Sequence, residues 1–398
     1  MNSSRYAVGL DVGSGRTRCV ICVLEEGLMR YLGHAEMESA GWVKGRLSDQ
    51  LAATENIRAT VLEAERRAQV SVEGAVVGVG GGTVEGANSR GLYEFGRPRE
   101  IDSGDLNYAI ELASKLRLHE DRIILQIAPQ DFTVDGRAGY RNPRGATCSR
   151  LEAHVHVLTT SVQDHQALIH AVHHAHLSVE ETVFEPTAAA YAAVLQDERS
   201  RGVAIVDIGA HSTDMAIYDG DALLRASSIP ISADHFTRDV GYGLTVSYDD
   251  AEHLKREYGC AILGLTSDNS FIEVPSTEGR APREAPRRLL NEILEARAEE
   301  LFLYVRNEIA KVGMEQALLE GIVLTGGGAL LNGMCDMAER VVNCPTRNGL
   351  PIGIENWPEE INDAAWCVAA GLSMYSAKLK TRKEWKRTVP GIMGLVYR

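Results

Sequence analysis

The chain lacks most of the marks that classify a protein quickly. No apolar stretch approaches the length needed to cross a bilayer, which excludes a helical membrane span. The opening MNSSRYAVGLDVG carries no signal-peptide pattern. Seven cysteines are scattered over 398 residues, an odd and dispersed set that argues against a disulfide framework and suits a reduced cytosol. Cys19 and Cys22 spell CxxC, but on a strand residues three apart face opposite ways, so they are not read as a redox pair. Cations are the minority, with 41 Lys and Arg against 55 Asp and Glu and a net charge of −14. That excludes a nucleic-acid binder, since phosphate backbones are held by clustered Lys and Arg.

Two common phosphate signatures are missing as well. VGLDVGSGRTR (8–18) is an apolar run that ends in an aspartate and a glycine turn. A P-loop would place Gly-Lys-Ser/Thr four residues after its first glycine, and no such lysine follows Gly13 or Gly15. A dinucleotide fingerprint would have a third glycine where Arg18 stands. The following CVICVLEEG is rich in β-branched residues and reads as a second strand. The stretch is thus a hairpin. Alone, it is equally a phosphate turn or a plain hairpin whose glycines supply positive φ.

What is present is a counterpart. RGVAIVDIGAHSTDMAIYDGDALL (201–224) repeats the design: strand 203–206, then Asp207, a small polar turn, and strand 215–218. Such duplication predicts two similar α/β halves gripping one polyphosphate. Backbone N–H groups of each turn would cap phosphate oxygens, and Asp11 and Asp207 would hold a hydrated Mg2+. A third turn, IVLTGGGALLNG (322–333), runs from a buried-type strand, 322–324, through Gly326, Gly327 and Gly328 into an apolar helical segment. In order after the two hairpins it reads as an adenosine-binding turn.

This ordered trio resembles the actin-like ATPase superfamily. SRGLYEFGRPREIDSGDLNYAIELASKL, RIILQIAPQDFTVDGRAGYRNP and SRLEAHVHVLTTS resemble the insert of the FtsA family of bacterial cell-division proteins. DDAEHLKREYGCA, ILEARAEELFLYVRNEI and VLTGGGALLNGM are similar to that family too, and the likeness runs from about residue 6 to about 375. It implies an α/β, actin-like two-domain ATPase fold of duplicated ribonuclease-H-like domains with an inserted subdomain 1C. Subdomain 1A would take 1–83 with 163–196 and 363–379, and the insert 84–162. Subdomain 2A would take 197–235 with 312–362, subdomain 2B 236–311, and a basic amphipathic tail 380–398.

Carried onto this sequence, the resemblance assigns ATP to Asp11, Gly13, Ser14, Gly15 and Arg16 in the first turn, and to Asp207, Gly209, Ser212 and Thr213 in the second. It adds Glu252, Lys255, Gly326, Gly327 and Gly328 on the adenosine side. Without it, Glu252 and Lys255, one helical turn apart, read as a solvated ion pair. Glu185 opens the helix of EPTAAAYAAV, where relatives have an acid that orients the attacking water; with Asp207 it is the catalytic candidate. Its other reading is an acid favoured by the helix dipole. Arg16 stands where the family has lysine, and Ala210 and His211 stand where it has glycines. Arg16 keeps the charge but changes reach and donor geometry, and Ala210 and His211 hinder backbone approach, which predicts at most a slow ATPase.

Other segments are legible from residues alone. Ser103 or Asp102 caps a helix over 104–118, and RLEAHVHVLTT alternates as a half-buried strand with Leu151, Ala153, Val155 and Val157 on one face. His170 and His174 are i, i+4 but read as the polar face of an amphipathic helix, not as metal ligands. Residues 264–288, with Pro275, Pro282 and Pro286, read as a mobile loop. The last 21 residues carry seven Lys and Arg against Glu384 alone, so the tail is net +6 and the rest of the chain −20. Trp385, Lys386, Arg387, Ile392, Met393, Leu395 and Val396 form the expected membrane-facing set. Pro390-Gly391 leaves two forms open: a helix that starts at Pro390 on the membrane, or a tail docked on the body.

The resemblance further implies filaments, an anionic membrane bound through the tail, the FtsZ C-terminal peptide on subdomain 2B, and other division proteins on subdomain 1C. The setting would be the cytoplasmic face of the membrane at the division septum. A sugar kinase shares the first turn but needs a base carboxylate beside its substrate, and no such motif stands out. A pilus-assembly relative shares the insert type but usually lacks the membrane tail.

Overall fold

A computed structural model of the chain describes residues 5–267, 269–275 and 281–388. Strands β1 (Tyr6–Val12), β2 (Arg16–Glu25) and β3 (Leu28–Glu38) form an antiparallel meander. A small hairpin, β4 (Trp42–Val43) and β5 (Arg46–Leu47), leads to α1 (Gln50–Ala68), whose cap Asp49 accepts the N–H groups of Leu51 and Ala52. Strand β6 (Gly74–Val79) then pairs parallel to β1. The chain leaves to build β7 (Glu85–Glu100), α2 (Ser103–Ser114), β8 (Arg122–Val134), β9 (Arg137–Tyr140) and β10 (Thr147–Ser161). It returns through α3 (Val162–His174) to β11 (Ser178–Phe184), parallel to β6, and to α4 (Glu185–Ala193).

After the short α5 (Gln196–Ser200) the same plan is built again. Strands β12 (Val203–Ile208), β13 (Thr213–Asp219) and β14 (Ala222–Ile229) form a second antiparallel meander. Helices α6 (Ala233–Leu244) and α7 (Tyr248–Tyr258), the hairpin β15 (Phe271–Val274) and β16 (Arg283–Pro286), and the long α8 (Arg287–Ala310) follow. Strand β17 (Ile322–Thr325) pairs parallel to β12; beyond α9 (Met334–Val342), β18 (Thr346–Asn348) pairs parallel to β17. Helix α10 (Cys367–Thr388) closes the described chain. The two sheets have the orders β11-β6-β1-β2-β3 and β14-β13-β12-β17-β18. In each, three antiparallel strands are followed by two parallel ones, so the duplication seen in two short turns extends to both whole sheets.

Packing explains why these strands sit as they do. β1, β6 and β12 are buried along their length, apart from Tyr6 at one end, and read as near-continuous apolar runs. Helix α10 returns from the second half to lie on β1 and α4 of the first. The approach is close enough that a Cβ on Gly371 would fall 1.7 Å from the Ala188 carbonyl oxygen. A Cβ on Gly9 would fall 2.2 Å from that of Ala369. Cys19 and Cys22 lie in different apolar layers, one with Ile57 and one with Trp366, as alternation on a strand requires.

The inserted layer is a separate sheet of order β7-β10-β8-β9. Leu151, Ala153, Val155 and Val157 are buried in a core shared with Leu106, Ala109 and Ala113 of α2. Asp102 accepts the Asp105 N–H while Asp105 accepts the Asp102 N–H, a reciprocal cap. The helix ends at Ser114, four residues short of the expected 118. His170 and His174 are exposed on α3, opposite Leu168 and Val172. Among the described residues, no helix is long and apolar enough to cross a membrane.

Three expectations need correction. Residues 264–288 are not all loop: β15 and β16 pair there, and Pro286 ends β16 and caps α8, where a missing N–H costs nothing. The segment after Gly328 is a single 3-10 turn, Gly327–Leu330, before α9 begins at Met334. The closing helix does not stop at 379; α10 continues to Thr388, so the basic segment starts inside a helix that is anchored on the core. Trp385, Lys386 and Arg387 fall in that last stretch; Ile392, Met393, Leu395 and Val396 lie outside the described residues.

Candidate functional site

The two glycine turns meet across a cleft of about 980 Å³ between the halves. In the first, the Ser39 hydroxyl donates to the Gly13 carbonyl at 2.6 Å and the Ser39 N–H to that of Gly15 at 3.1 Å. In the second, the Gly209 N–H donates to the Ser212 carbonyl at 2.8 Å. The start of α6 takes the outward carbonyls: Ala233 N–H donates to Gly209 and Asp234 N–H to Ala210. Between the turns, His211 Nδ1 lies 3.0 Å from Ser14 Oγ. A Cβ on Gly15 would come within 2.7 Å of the Ala210 methyl, so glycine is what lets the turns approach this closely.

Opposite these turns, Gly326 (φ 81°) passes so near the end of β12 that a Cβ there would fall 2.6 Å from the Ile208 carbonyl oxygen. A Cβ on Gly327 would meet nothing within 4 Å. Lys255 on α7 is 8% exposed, and its Nζ donates to Glu252 Oε2 at 2.6 Å and Thr237 Oγ1 at 2.7 Å. The pair is therefore part of the cleft wall and not a solvated surface pair. Burial pushes the Lys255 ammonium down despite Glu252, and it pushes Glu252 up; Lys255, Thr237 and Arg256 more than offset this for the carboxylate.

The floor is acidic and short of positive charge. Burial raises Asp11 to about 6, against the opposing pull of Arg18, whose Nη1 is 3.7 Å away. Burial raises Asp207 to about 7, partly offset by the Thr325 hydroxyl, which donates to it at 2.8 Å. Burial, and then Asp11, Asp214 and Asp207, push Glu185 well above the usual carboxylate range. No group of three or more His, Cys, Asp and Glu is arranged to hold a metal ion among the described residues. Mg2+ would be taken here through water and phosphate, which suits two separated carboxylates of which only Asp11 has a nearby cation, Arg18. The open faces at Gly81, Gly82 and Gly327 leave room for a ligand's backbone contacts. The donor set fits a Mg2+–polyphosphate nucleotide.

Of the residues expected to bind nucleotide, Asp11, Gly13, Ser14, Gly15, Arg16, Asp207, Gly209, Ser212, Glu252, Lys255, Gly326, Gly327 and Gly328 all line this cleft, as does the catalytic candidate Glu185. Thr213 does not: it is fully buried as the first residue of β13. Four contributors were not anticipated. Arg18 reaches Glu36 at 2.6 Å and stacks on Trp366, and it is the cation nearest Asp11. Asp214 is buried and accepts the Gly81 N–H at 2.8 Å. Gly80, Gly81 and Gly82 form a further glycine wall at the stem of the inserted layer. Lys44 and Arg46 of the β4–β5 hairpin also line the cleft. Only the Gly-Gly-Gly run was visible as a signal; Arg18 and Asp214 become neighbours of the site through strand alternation.

Two repeated halves closing on one glycine-lined cleft define an actin-like ATPase fold. Solved structures agree: a PilM–PilN type IV pilus biogenesis complex matches with TM-score 0.68 at 17% identity, covering 93% of this chain and 98% of that one. MreB5 of Spiroplasma citri bound to AMPPNP matches with TM-score 0.57 at 15% identity, covering 96% and 98%. The model of cell division protein FtsA matches residues 204–371, and that of the SHS2 domain inserted in FtsA matches 81–159. Cell division protein FtsA of Pseudomonas aeruginosa is 32% identical over 376 residues, 94% of this chain and 90% of the relative. That of Borreliella burgdorferi is 34% identical over 388 residues, 97% and 94%. The chain belongs to the FtsA family of cell division proteins.

Proposed function

We propose that this protein binds ATP with Mg2+ in the cleft, polymerises, and tethers FtsZ to the inner face of the cytoplasmic membrane at the division septum. The observation that carries the nucleotide part is the convergence of both glycine turns, Gly326–Gly328 and the Glu252–Lys255 pair on one cleft. Backbone N–H groups of the turns bind phosphate, Ser14 adds a hydroxyl donor, Ser212, whose hydroxyl donates to Asp214 at 3.1 Å, holds the second turn, and Glu252 and Lys255 bracket the adenosine. Asp11 and Asp207 would hold the metal through water, and when bound it would supply charge neutralisation of the phosphates. Burial, and then the neighbouring carboxylates, raise the Glu185 carboxyl, and positive charge entering the floor would favour the ionised form that orients water. Such dependence suits slow, regulated hydrolysis.

The partner assignments rest on family membership. Subdomain 2B (236–311) takes the FtsZ C-terminal peptide, the insert meets other division proteins, and the basic tail meets anionic lipid. Few apolar residues in the tail make single-chain attachment weak, so filament avidity completes it.

Co-sedimentation with anionic liposomes tests this reading. The control is a chain ended after Thr381, which keeps Lys380 on the Tyr6 carbonyl and Glu180 but removes Arg382, Lys383, Trp385, Lys386, Arg387 and everything beyond. The intact protein, with ATP, should pellet with liposomes and carry FtsZ down, and the shortened one should not. If neither pelleted and FtsZ stayed in solution, the tethering role would be wrong. In parallel, Glu252→Ala should weaken ATP binding; unchanged affinity would remove the adenosine site.

A further inference from the structure

The second phosphate turn holds a residue that the glycine pattern of its counterpart does not explain. His211 stands at the tip of the β12–β13 turn, and its Nδ1 lies 3.0 Å from Ser14 Oγ at the tip of the β1–β2 turn. The two residues are 197 positions apart and belong to opposite halves. Beside them, a Cβ on Gly15 would fall 2.7 Å from the Ala210 Cβ, and one on Gly45 would fall 3.0 Å from the His211 Cβ. The imidazole is thus seated between the first turn and the β4–β5 hairpin.

We infer that His211 is a positioning residue that selects for phosphorylated nucleotides by fixing the Ser14 hydroxyl across the cleft. The inference rests on the proposed nucleotide reading. A serine hydroxyl has one proton to give and rotates freely when unpartnered. With Nδ1–H donating to Ser14 Oγ, the oxygen's acceptor role is filled by His211 and its own proton is directed to a phosphate oxygen. The relay, Nδ1–H to Oγ and Oγ–H to phosphate, spans both halves, so polyphosphate binding and closure of the phosphate end reinforce one another. Adenosine, which has no phosphate, gains nothing from it.

The roles of Ala210 and His211 change accordingly. Read as substitutions for glycine, they obstruct the backbone. In place, Ala210 packs against Gly15, and His211 exchanges a backbone contact for a side-chain bridge.

Isothermal titration with ATP, ADP and adenosine separates these possibilities, using the full chain, His211→Gly and His211→Asn. The asparagine amide puts an N–H donor near the Nδ1 position. His211→Gly should bind ATP and ADP about 5- to 10-fold more weakly, the value of one well-placed hydrogen bond, with adenosine affinity unchanged. His211→Asn should recover most of the loss. The inference is overturned if His211→Gly binds ATP as the natural protein does, if it loses adenosine to the same extent, or if His211→Asn fails to recover affinity. A natural protein that bound none of the three would instead remove the nucleotide reading on which the inference stands.

Discussion

His156 on β10 of the inserted layer accepts the backbone N–H of Ala226 on β14, 2.9 Å away. Its Nδ1 faces Asn88 Oδ1 at 2.5 Å, which fixes the neutral tautomer with Nδ1–H donating and Nε2 accepting. Gln130 Nε2 adds donations to the Leu223 and Leu224 carbonyls at 3.1 and 3.0 Å. The insert is joined to the first half by its chain but is docked on the edge strand of the second. The docking also satisfies polar groups that an open sheet edge would present to solvent.

This contact makes stability depend on pH. Burial, and then the charge of Arg225, lower His156 to about 4 from a usual value of 6.5. The unfolded chain therefore takes up a proton first as pH falls. The stabilisation is whole above about 6.5 and is lost as pH drops toward 4, by up to about 3 kcal/mol. Urea unfolding at pH 7 and pH 5 should show the loss in the natural protein and a smaller one in His156→Gln, which keeps an acceptor without a titrating ring. Equal losses would remove His156 as the cause.

Asp207 has the opposite sign. Its carboxyl is raised from 3.8 to about 7, so the folded state holds the proton longer than the unfolded one. Stability without ligand then falls as pH rises from about 4 to about 7. Asp207→Asn keeps an acceptor for the Thr325 hydroxyl and removes the buried charge. It should unfold about 2–4 kcal/mol later than the natural protein at pH 8, with the gap closing toward pH 5. The same variant should lose Mg2+-dependent nucleotide binding, which equilibrium titration would measure. A variant no more stable than the natural protein at pH 8 would show that the carboxylate is already compensated.

Gly371→Ala should be among the costlier single changes. Its methyl carbon would fall 1.7 Å from the Ala188 carbonyl oxygen, where α10 crosses α4, and both neighbours are backbone. Separating two packed helices costs about 2–4 kcal/mol. Thermal unfolding of the variant would measure this, and a loss under about 1 kcal/mol would mean that the helices can part without penalty.

Lys255→Ala should weaken ATP binding about tenfold or more, because it deletes a buried donor from the wall and leaves Thr237 and Glu252 without their shared partner. A fluorescent nucleotide titration would read it. Affinity within twofold of the natural protein would show that α7 does not border the adenosine.

Much of this was legible early because it depends on local rules. Alternating apolar residues, Asp-x-Gly turns and the Asp102 cap follow from strand period, positive φ and orphan helix N–H groups, which act within a few residues. That is why the two hairpins, the insert's buried face and the outward histidines of α3 all lie where expected. The exceptions also have local reasons. Residues 271–274 and 283–286 escaped notice as strands because they are short and prolines flank them. Thr213 reads as part of the phosphate turn because its side chain is polar, but the strand begins there, two residues before the expected 215.

The sequence by itself determined the duplicated halves, the ordered glycine turns and the acidic body with a basic end, because pattern and composition encode them along the chain. Only the tertiary structure decided which groups face one another. Asp214 under Gly81, His156 on Ala226 and His211 against Ser14 each join separate halves or the insert to the second half. Such pairings are set by how two sheets and an inserted layer pack, and packing has no period in the sequence from which it can be read.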